Sequence, residues 1–151
     1  MNVKEMIATM QLIGSSVRNL KLSNAFVVAD EMDQWNKKID VEYEINELYV
    51  SEKKNIGSVM LHIVLEIDKD GQEGISVELD MDGGFSFIFS EEKNNDEKKA
   101  EMEKMLSHNG CATVYSLARA FIVSVTGQMC NGGTIILPMI NIYELNKHRN
   151  K

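Results

Sequence analysis

Residues 110–142 read GCATVYSLARAFIVSVTGQMCNGGTIILPMINI, and the reading of this stretch decides the fold. Between His108 and Glu144 the only charged residue is Arg119. Cys111, Val114, Tyr115, Ala118, Phe121, Ile122, Val125 and Met129 recur at spacings of three and four, which predicts a helix with one apolar face. The opposite face is not charged either: it carries Ser116, Ala120, Val123, Ser124 and Gly127. A helix without a solvated side is buried on more than one side. It is expected to pack on its own sheet and on a second copy of itself, with Ala120, Phe121, Ile122 and Ser124 at that contact. Asn131-Gly132-Gly133 stops the helix, since glycine is cheap just past a helix end. Ile135-Ile136-Leu137-Pro138-Met139-Ile140 follows, apolar and interrupted by the only proline in the chain.

Working back from this helix, three segments alternate strictly. Ile39, Val41, Tyr43 and Ile45 alternate with Lys38, Asp40, Glu42 and Glu44. Val59 to Ile67 keep the same odd parity, and so do Ile75, Val77, Leu79 and Met81, continuing through Phe85, Phe87 and Phe89. Period two means strands with one buried face. Asp70-Gly71 is a hairpin turn, and residues 51–56 join the first two of these strands. Short links imply antiparallel neighbours. Gly83-Gly84 interrupts the last strand and predicts a bulge or a close backbone approach.

The even-numbered side of these strands collects Asp40, Glu42, Glu44, Glu66, Asp68, Glu78, Asp80 and Asp82, with Lys38 and His62 against them. A solvated face explains such a set, and so does docking of a basic partner; Glu44, Glu78 and Asp80 are the candidate docking residues. Like charges across strands cost stability.

Residues 6–13 read as a first strand, continuing through Val17 to Leu22, with a helix as the alternative. Residues 24–36, NAFVVADEMDQWN, are apolar without a sustained period and read as an ordered connection. Such a segment is a lid on the core or the wall of a groove. With residues 135–140 it supplies the candidate apolar binding residues: Phe26, Val28, Trp35, Leu137 and Met139. Residues 90–108 form a charged helix with Asn94, Asn95 or Asp96 as N-cap and a narrow stripe of Met102, Met105 and Leu106.

The chain has 151 residues, so one domain over 1–151 is expected. Its net charge of −7 argues against nonspecific nucleic-acid binding. Cys111 and Cys130 are not a CxxC pair and are expected as buried thiols, which fits a reducing cytoplasm. The N-terminus is a poor signal peptide, and residues 120–143 carry too many polar residues and glycines for a good membrane span. His62, His108 and His148 lie in different elements, without metal-ligand spacing. No nucleophile elbow or phosphate loop is present. No metal, cofactor or catalytic group is expected, so the chain does not read as an enzyme. Arg119 is expected to serve structure, reaching a carboxylate or helix-end carbonyls.

Leu117-Ala118-Arg119, an uncharged helix and then Leu137-Pro138-Met139-Ile140-Asn141 resemble the C-terminal half of the SecB-type protein-export chaperones. That family opens this helix with aromatic-Pro-Tyr-Ala-Arg and follows it with Leu-Pro-Pro-x-Asn-Phe. Here Ser116, Leu117, Met139 and Ile142 depart from the pattern. The family's crossover loop carries a tryptophan ahead of the second strand, which Trp35 matches. The resemblance implies an α+β fold: a four-stranded antiparallel sheet with a long helix packed on one face. It also implies a homotetramer, a dimer of dimers. It implies an ATP-independent chaperone that holds unfolded preproteins and hands them to SecA, docked on the acidic sheet face. The family's Phe-Glu-x-Pro run at the end of the first strand reads Leu22-Ser23-Asn24-Ala25 here, and its longer C-terminal tail has no counterpart before Lys151. The alternatives are a SecB-like chaperone for another dedicated client, such as a toxin–antitoxin pair, and a small-ligand-binding α+β domain.

Overall fold

The computed structural model describes residues 9–25, 35–70, 72–89, 92–129 and 135–149. Four strands, β1 (Met10–Asn24), β2 (Asn36–Val50), β3 (Asn55–Lys69) and β4 (Gln72–Phe87), form one sheet in the order β1-β4-β3-β2. Every pairing is antiparallel. The alternating sequences place Tyr43, Leu61 and Met81 in one cross-strand row, and Val41, Ile63 and Leu79 in the next. Each odd residue of β3 from Val59 to Ile67 is buried, as are Ile75, Val77, Leu79 and Met81 of β4. Between β3 and β4 the chain reverses at Asp70, whose φ of 52° is left-handed. Aspartate tolerates that region better than most residues.

β1 spans Met10–Asn24 and so runs past the Leu22 expected from the sequence; the expected start at residues 6–8 lies outside the described residues. Its two bulges explain why no period is visible. Register shifts fall between Leu12 and Gly14 and between Val17 and Asn19. Each adds one residue, so the helix-side parity is even at Leu12, odd at Val17 and even again at Leu20. β1 and β2, consecutive in the chain, lie on opposite edges of the sheet.

Behind the sheet runs a long helix in three parts. α1 (Asn95–Met105) is capped by Asn94, whose side-chain oxygen accepts from the Glu97 amide at 2.9 Å. A π-helical turn (Leu106–Gly110) follows, and α2 (Cys111–Met129) continues from it. The sequence predicts two separate helices here; the π turn joins them. One extra residue per turn advances the buried stripe. Met102 and Leu106 lead to Cys111, Val114, Ala118 and Ile122, all at 0 % exposure. Without that residue the stripe would drift off the sheet. The helix passes as a membrane span by length and composition, but its stripe is taken up by β3 and β4.

Glycines set how close the helix sits. A Cβ on Gly83 would lie 2.4 Å from Val114 Cγ2, and one on Gly57 would lie 2.6 Å from Leu106 Cδ1. The predicted close approach at Gly83-Gly84 therefore belongs to Gly83.

After α2, residues 135–140 run back along the helix. Thr126, fully buried, donates to the Ile122 carbonyl at 2.7 Å and accepts from the Ile135 amide at 2.9 Å. Arg119 Nε donates to the Leu137 carbonyl at 3.0 Å, and the Tyr115 hydroxyl donates to that of Pro138 at 2.5 Å. Arg119 thus has a structural task, as the sequence suggests, with strand-like carbonyls as its target. A last helix, α3 (Ile142–Arg149), is capped by Asn141, which accepts from the Tyr143 amide at 3.0 Å. Asn146 anchors it: Nδ2 donates to the Ser107 carbonyl of the π turn at 3.0 Å, and Oδ1 accepts from the Tyr43 hydroxyl.

Two substitutions test this packing. Gly83→Ala is expected to lower the stability measured by urea unfolding by about 1–3 kcal/mol, because Val114 must move. Ile122→Ala, which empties a site at 0 % exposure, should cost about 2–5 kcal/mol.

Candidate functional site

Burial alternates along residues 135–138, and Met139 then departs from the alternation by facing outward like Pro138. Ile135 and Leu137 point into the core at 5 % and 1 % exposure, while Ile136 and Met139 stand out at 65 % and 84 %. Tyr143, at the start of α3, is also exposed. The bonds from Arg119 and Tyr115 fix this backbone, so Ile136 and Met139 are held outward.

The five predicted binding residues therefore divide. Met139 is open. Trp35 and Leu137 are core residues, buried within their own chain, and offer little surface to a ligand. This corrects their assignment: apolar composition marks a segment but not which of its side chains are spare. Phe26 and Val28 lie outside the described residues. Ile136 went unselected, although the period-two spacing against Leu137 marks it.

A second surface is the outer side of α2. Ser116, Ala120 and Ser124 are exposed, with Phe121 and Val123 half-buried, and none is charged. Ala120 and Ser124 are thus on the surface of the chain, and Phe121 is partly so. Ile122 is not: it is buried wholly by its own sheet, so it cannot form the contact with a second copy assigned to it.

The far side of the sheet carries the acidic set. Asp40, Glu42 and Glu44 on β2 are exposed, while Glu78, Asp80 and Asp82 on β4 are half-buried. β1, whose parity is hidden by its bulges, adds cations missed in the sequence. Arg18 pairs with Asp82, and Lys21 Nζ lies 4.0 Å from Glu78. His62 sits between Glu42 and Asp80 across the strands. Its Nδ1 bonds Asp80, and Nε2 is 3.9 Å from Glu78. Of the three predicted docking residues, Glu78 and Asp80 are thus partly neutralised. Glu44 makes no ion pair among the described residues.

The hydrogen bond to Asp80, joined by the charges of Asp80, Glu78 and Glu42, raises the His62 pKa above its ordinary 6.5 and outweighs partial burial. A raised folded-state value favours folding while His62 is protonated. That contribution is complete below the ordinary value and is lost as pH rises through the raised one. Proton NMR of the wild type should place the His62 midpoint above 6.5, and Asp80→Asn should lower it. Urea midpoints of the wild type should fall across the same pH range, and more steeply than those of the variant.

Among the described residues no group of three or more His, Cys, Asp and Glu side chains could hold a metal ion. The space between sheet and helix is filled by side chains such as Leu61, Ile63, Leu79 and Phe85.

No protein-family model matches the sequence, and no curated protein does. Solved structures do match. The chain superposes on the Mycobacterium tuberculosis Rv1957 SecB-like chaperone, solved in complex with a ChAD peptide from the Rv1956 HigA1 antitoxin. The TM-score is 0.65 at 11 % identity, over 88 % of this chain and 91 % of that one. The fold is SecB-like. A Streptococcus agalactiae protein of unknown function is also similar, with a TM-score of 0.50 at 14 % identity, over 87 % of this chain and 100 % of that one. The four-stranded antiparallel sheet with a long helix on one side matches that SecB-like fold.

Proposed function

We propose that this chain is an ATP-independent, cytoplasmic chaperone that holds a polypeptide client in an extended, unfolded state. One observation carries the reading: Ile136 and Met139 are presented to solvent by a backbone that Arg119 and Tyr115 lock in place. A protein that needed this segment only for its core would gain nothing from exposing them. Burying such a side chain contributes roughly 1.5–3 kcal/mol before ordering costs. Apolar area and main-chain hydrogen bonds tolerate many client sequences, and a methionine adapts its shape to them. Phe26 and Val28 belong to the same proposed surface. The antitoxin peptide on the SecB-like neighbour supports a dedicated client, for which a toxin–antitoxin pair is the model.

The chain is expected to work as a homo-oligomer, a dimer of dimers, joined through the uncharged face around Ala120, Phe121 and Ser124. The second reading is export: preproteins are held and passed to SecA. The acidic sheet face favours it, since a basic partner would be drawn to Glu44, Glu78 and Asp80. Neither reading assigns the chain a chemical step or a cofactor.

The purified protein should delay aggregation of an unrelated denatured protein without ATP. Ile136→Ser combined with Met139→Ser should weaken client binding by about tenfold or more, which corresponds to about 1.4 kcal/mol, with the unfolding midpoint kept. Undiminished protection by that double variant would remove Ile136 and Met139 from the client surface. Ala120→Glu with Ser124→Glu should shift the assembly toward smaller species in light scattering after size exclusion. A wild type already monomeric at micromolar concentration ends the oligomer reading.

A further inference from the structure

Arg119 is the only charged residue between His108 and Glu144, so its own segment gives it no counterion. Its side chain is half-buried. A guanidinium carries five N–H donors in a flat, fixed fork. The structure uses one of them: Nε donates to the Leu137 carbonyl at 3.0 Å. Among the described residues neither terminal nitrogen has a hydrogen bond, and no carboxylate forms an ion pair with Arg119. Its charge is felt by the Tyr115 hydroxyl, which is neutral and balances nothing. Both terminal nitrogens still reach solvent. A charge drawn out of water is normally paired. This one is drawn in at Nε and left open at its far end.

Covalent geometry decides where a partner would sit. Nη1 and Nη2 share a carbon with Nε, so they stay near the level of the 135–140 main chain that Nε holds. Ile136 and Met139, at 65 % and 84 % exposure, flank the held carbonyls of Leu137 and Pro138. The place is one cation beside two apolar side chains. Phe121, at the proposed contact between copies, is two residues from Arg119 and so about 200° away around the helix; that contact leaves Arg119 open. One positive charge matches a carboxylate, whereas a phosphate group brings about two negative charges. An aspartate or glutamate of a client would carry its carboxylate away from its main chain, among the other side chains. A carboxylate at main-chain level is the end of a polypeptide.

We propose that Arg119 receives the C-terminal carboxylate of an apolar client. The terminal nitrogens donate to the two carboxylate oxygens, a paired arrangement that adds geometric selectivity to the charge. The last apolar side chains of the client then lie on Ile136 and Met139. This inference rests on the client-holding reading and adds a direction to it: the end of the client is fixed at Arg119 and the rest trails away from it.

Fluorescence anisotropy of the full chain with an N-terminally dye-labelled apolar peptide, free of ionisable side chains, tests it. The free-acid peptide should bind about tenfold more tightly than its C-terminal amide, and the ratio should shrink as salt is raised. Arg119→Gln should bring the ratio to about one, and Arg119→Lys, charged but without the fork, should keep only part of it. Both peptides meet the same protein in each case, so a loosened 135–140 segment does not mimic the result. Equal affinities in the wild type, a ratio that survives Arg119→Gln, or an amidated peptide with one internal aspartate binding as tightly as the free acid would each overturn the chain-end site. Equal affinities would leave client holding in place. Failure of both peptides to bind overturns the site, and failure to delay aggregation as well overturns the client reading with it.

Discussion

The structure depends on how closely one helix can approach one sheet. Val114 descends onto Gly83 and Leu106 onto Gly57, with Gly110 facing Val59 and Phe85. At none of these glycines is there room for a relaxed Cβ, so the helix backbone sits lower than ordinary side chains would allow. A low helix brings both of its flanks near the sheet, and the apolar rows of β3 and β4 are closed off by one element. The π turn serves the same contact. It keeps the stripe of α1 in phase with that of α2, so that Met102 and Ile122 both reach the core. An α-helix of the same length without it would have to choose between them.

That approach also settles where the returning chain can go. With the inner face of α2 committed to the sheet, residues 135–140 lie along its side, and their backbone must be satisfied there. Thr126, Arg119 and Tyr115 supply the partners along about three turns of the helix. They hold the segment against the helix, with Ile135 and Leu137 turned inward and Ile136 and Met139 outward. Exposure of Ile136 is thus tied to burial of Leu137. The client surface proposed here follows from the bonds that complete the core.

Most of the frame is readable from residue patterns. β2, β3 and β4 declare themselves by alternation, and the long helix by an apolar stripe with no charged face behind it. Three features escape for separate physical reasons. β1 hides its parity because each bulge exchanges the faces, which also conceals that Arg18 and Lys21 oppose the acids of β4. The π turn changes the phase by one residue, and that resembles a break between two helices. α3 is short and weakly amphipathic; its one local signal is Asn141 followed by Glu144, the pattern of a helix start. The candidate site was legible as a segment but not as side chains. Apolar composition identified residues 135–140, while the choice between Leu137 and Ile136 needed the direction of each Cβ.

The sheet separates two kinds of surface. Its helix side carries the fixed apolar residues Ile136 and Met139 and the uncharged outer face of α2. Its other side carries the carboxylates and the β1 cations. Period two turns the odd residues of β2, β3 and β4 toward the helix and the even ones toward the acidic side, so neighbouring residues serve opposite faces. A client seated on one side and a basic partner on the other would not compete for atoms. Coupling between them would have to pass through the packed interior of β3 and β4. Such an interior is close-packed and yields little to small strains. Physical separation with a rigid layer between is what a holding protein needs if it is to keep its client while a second protein docks.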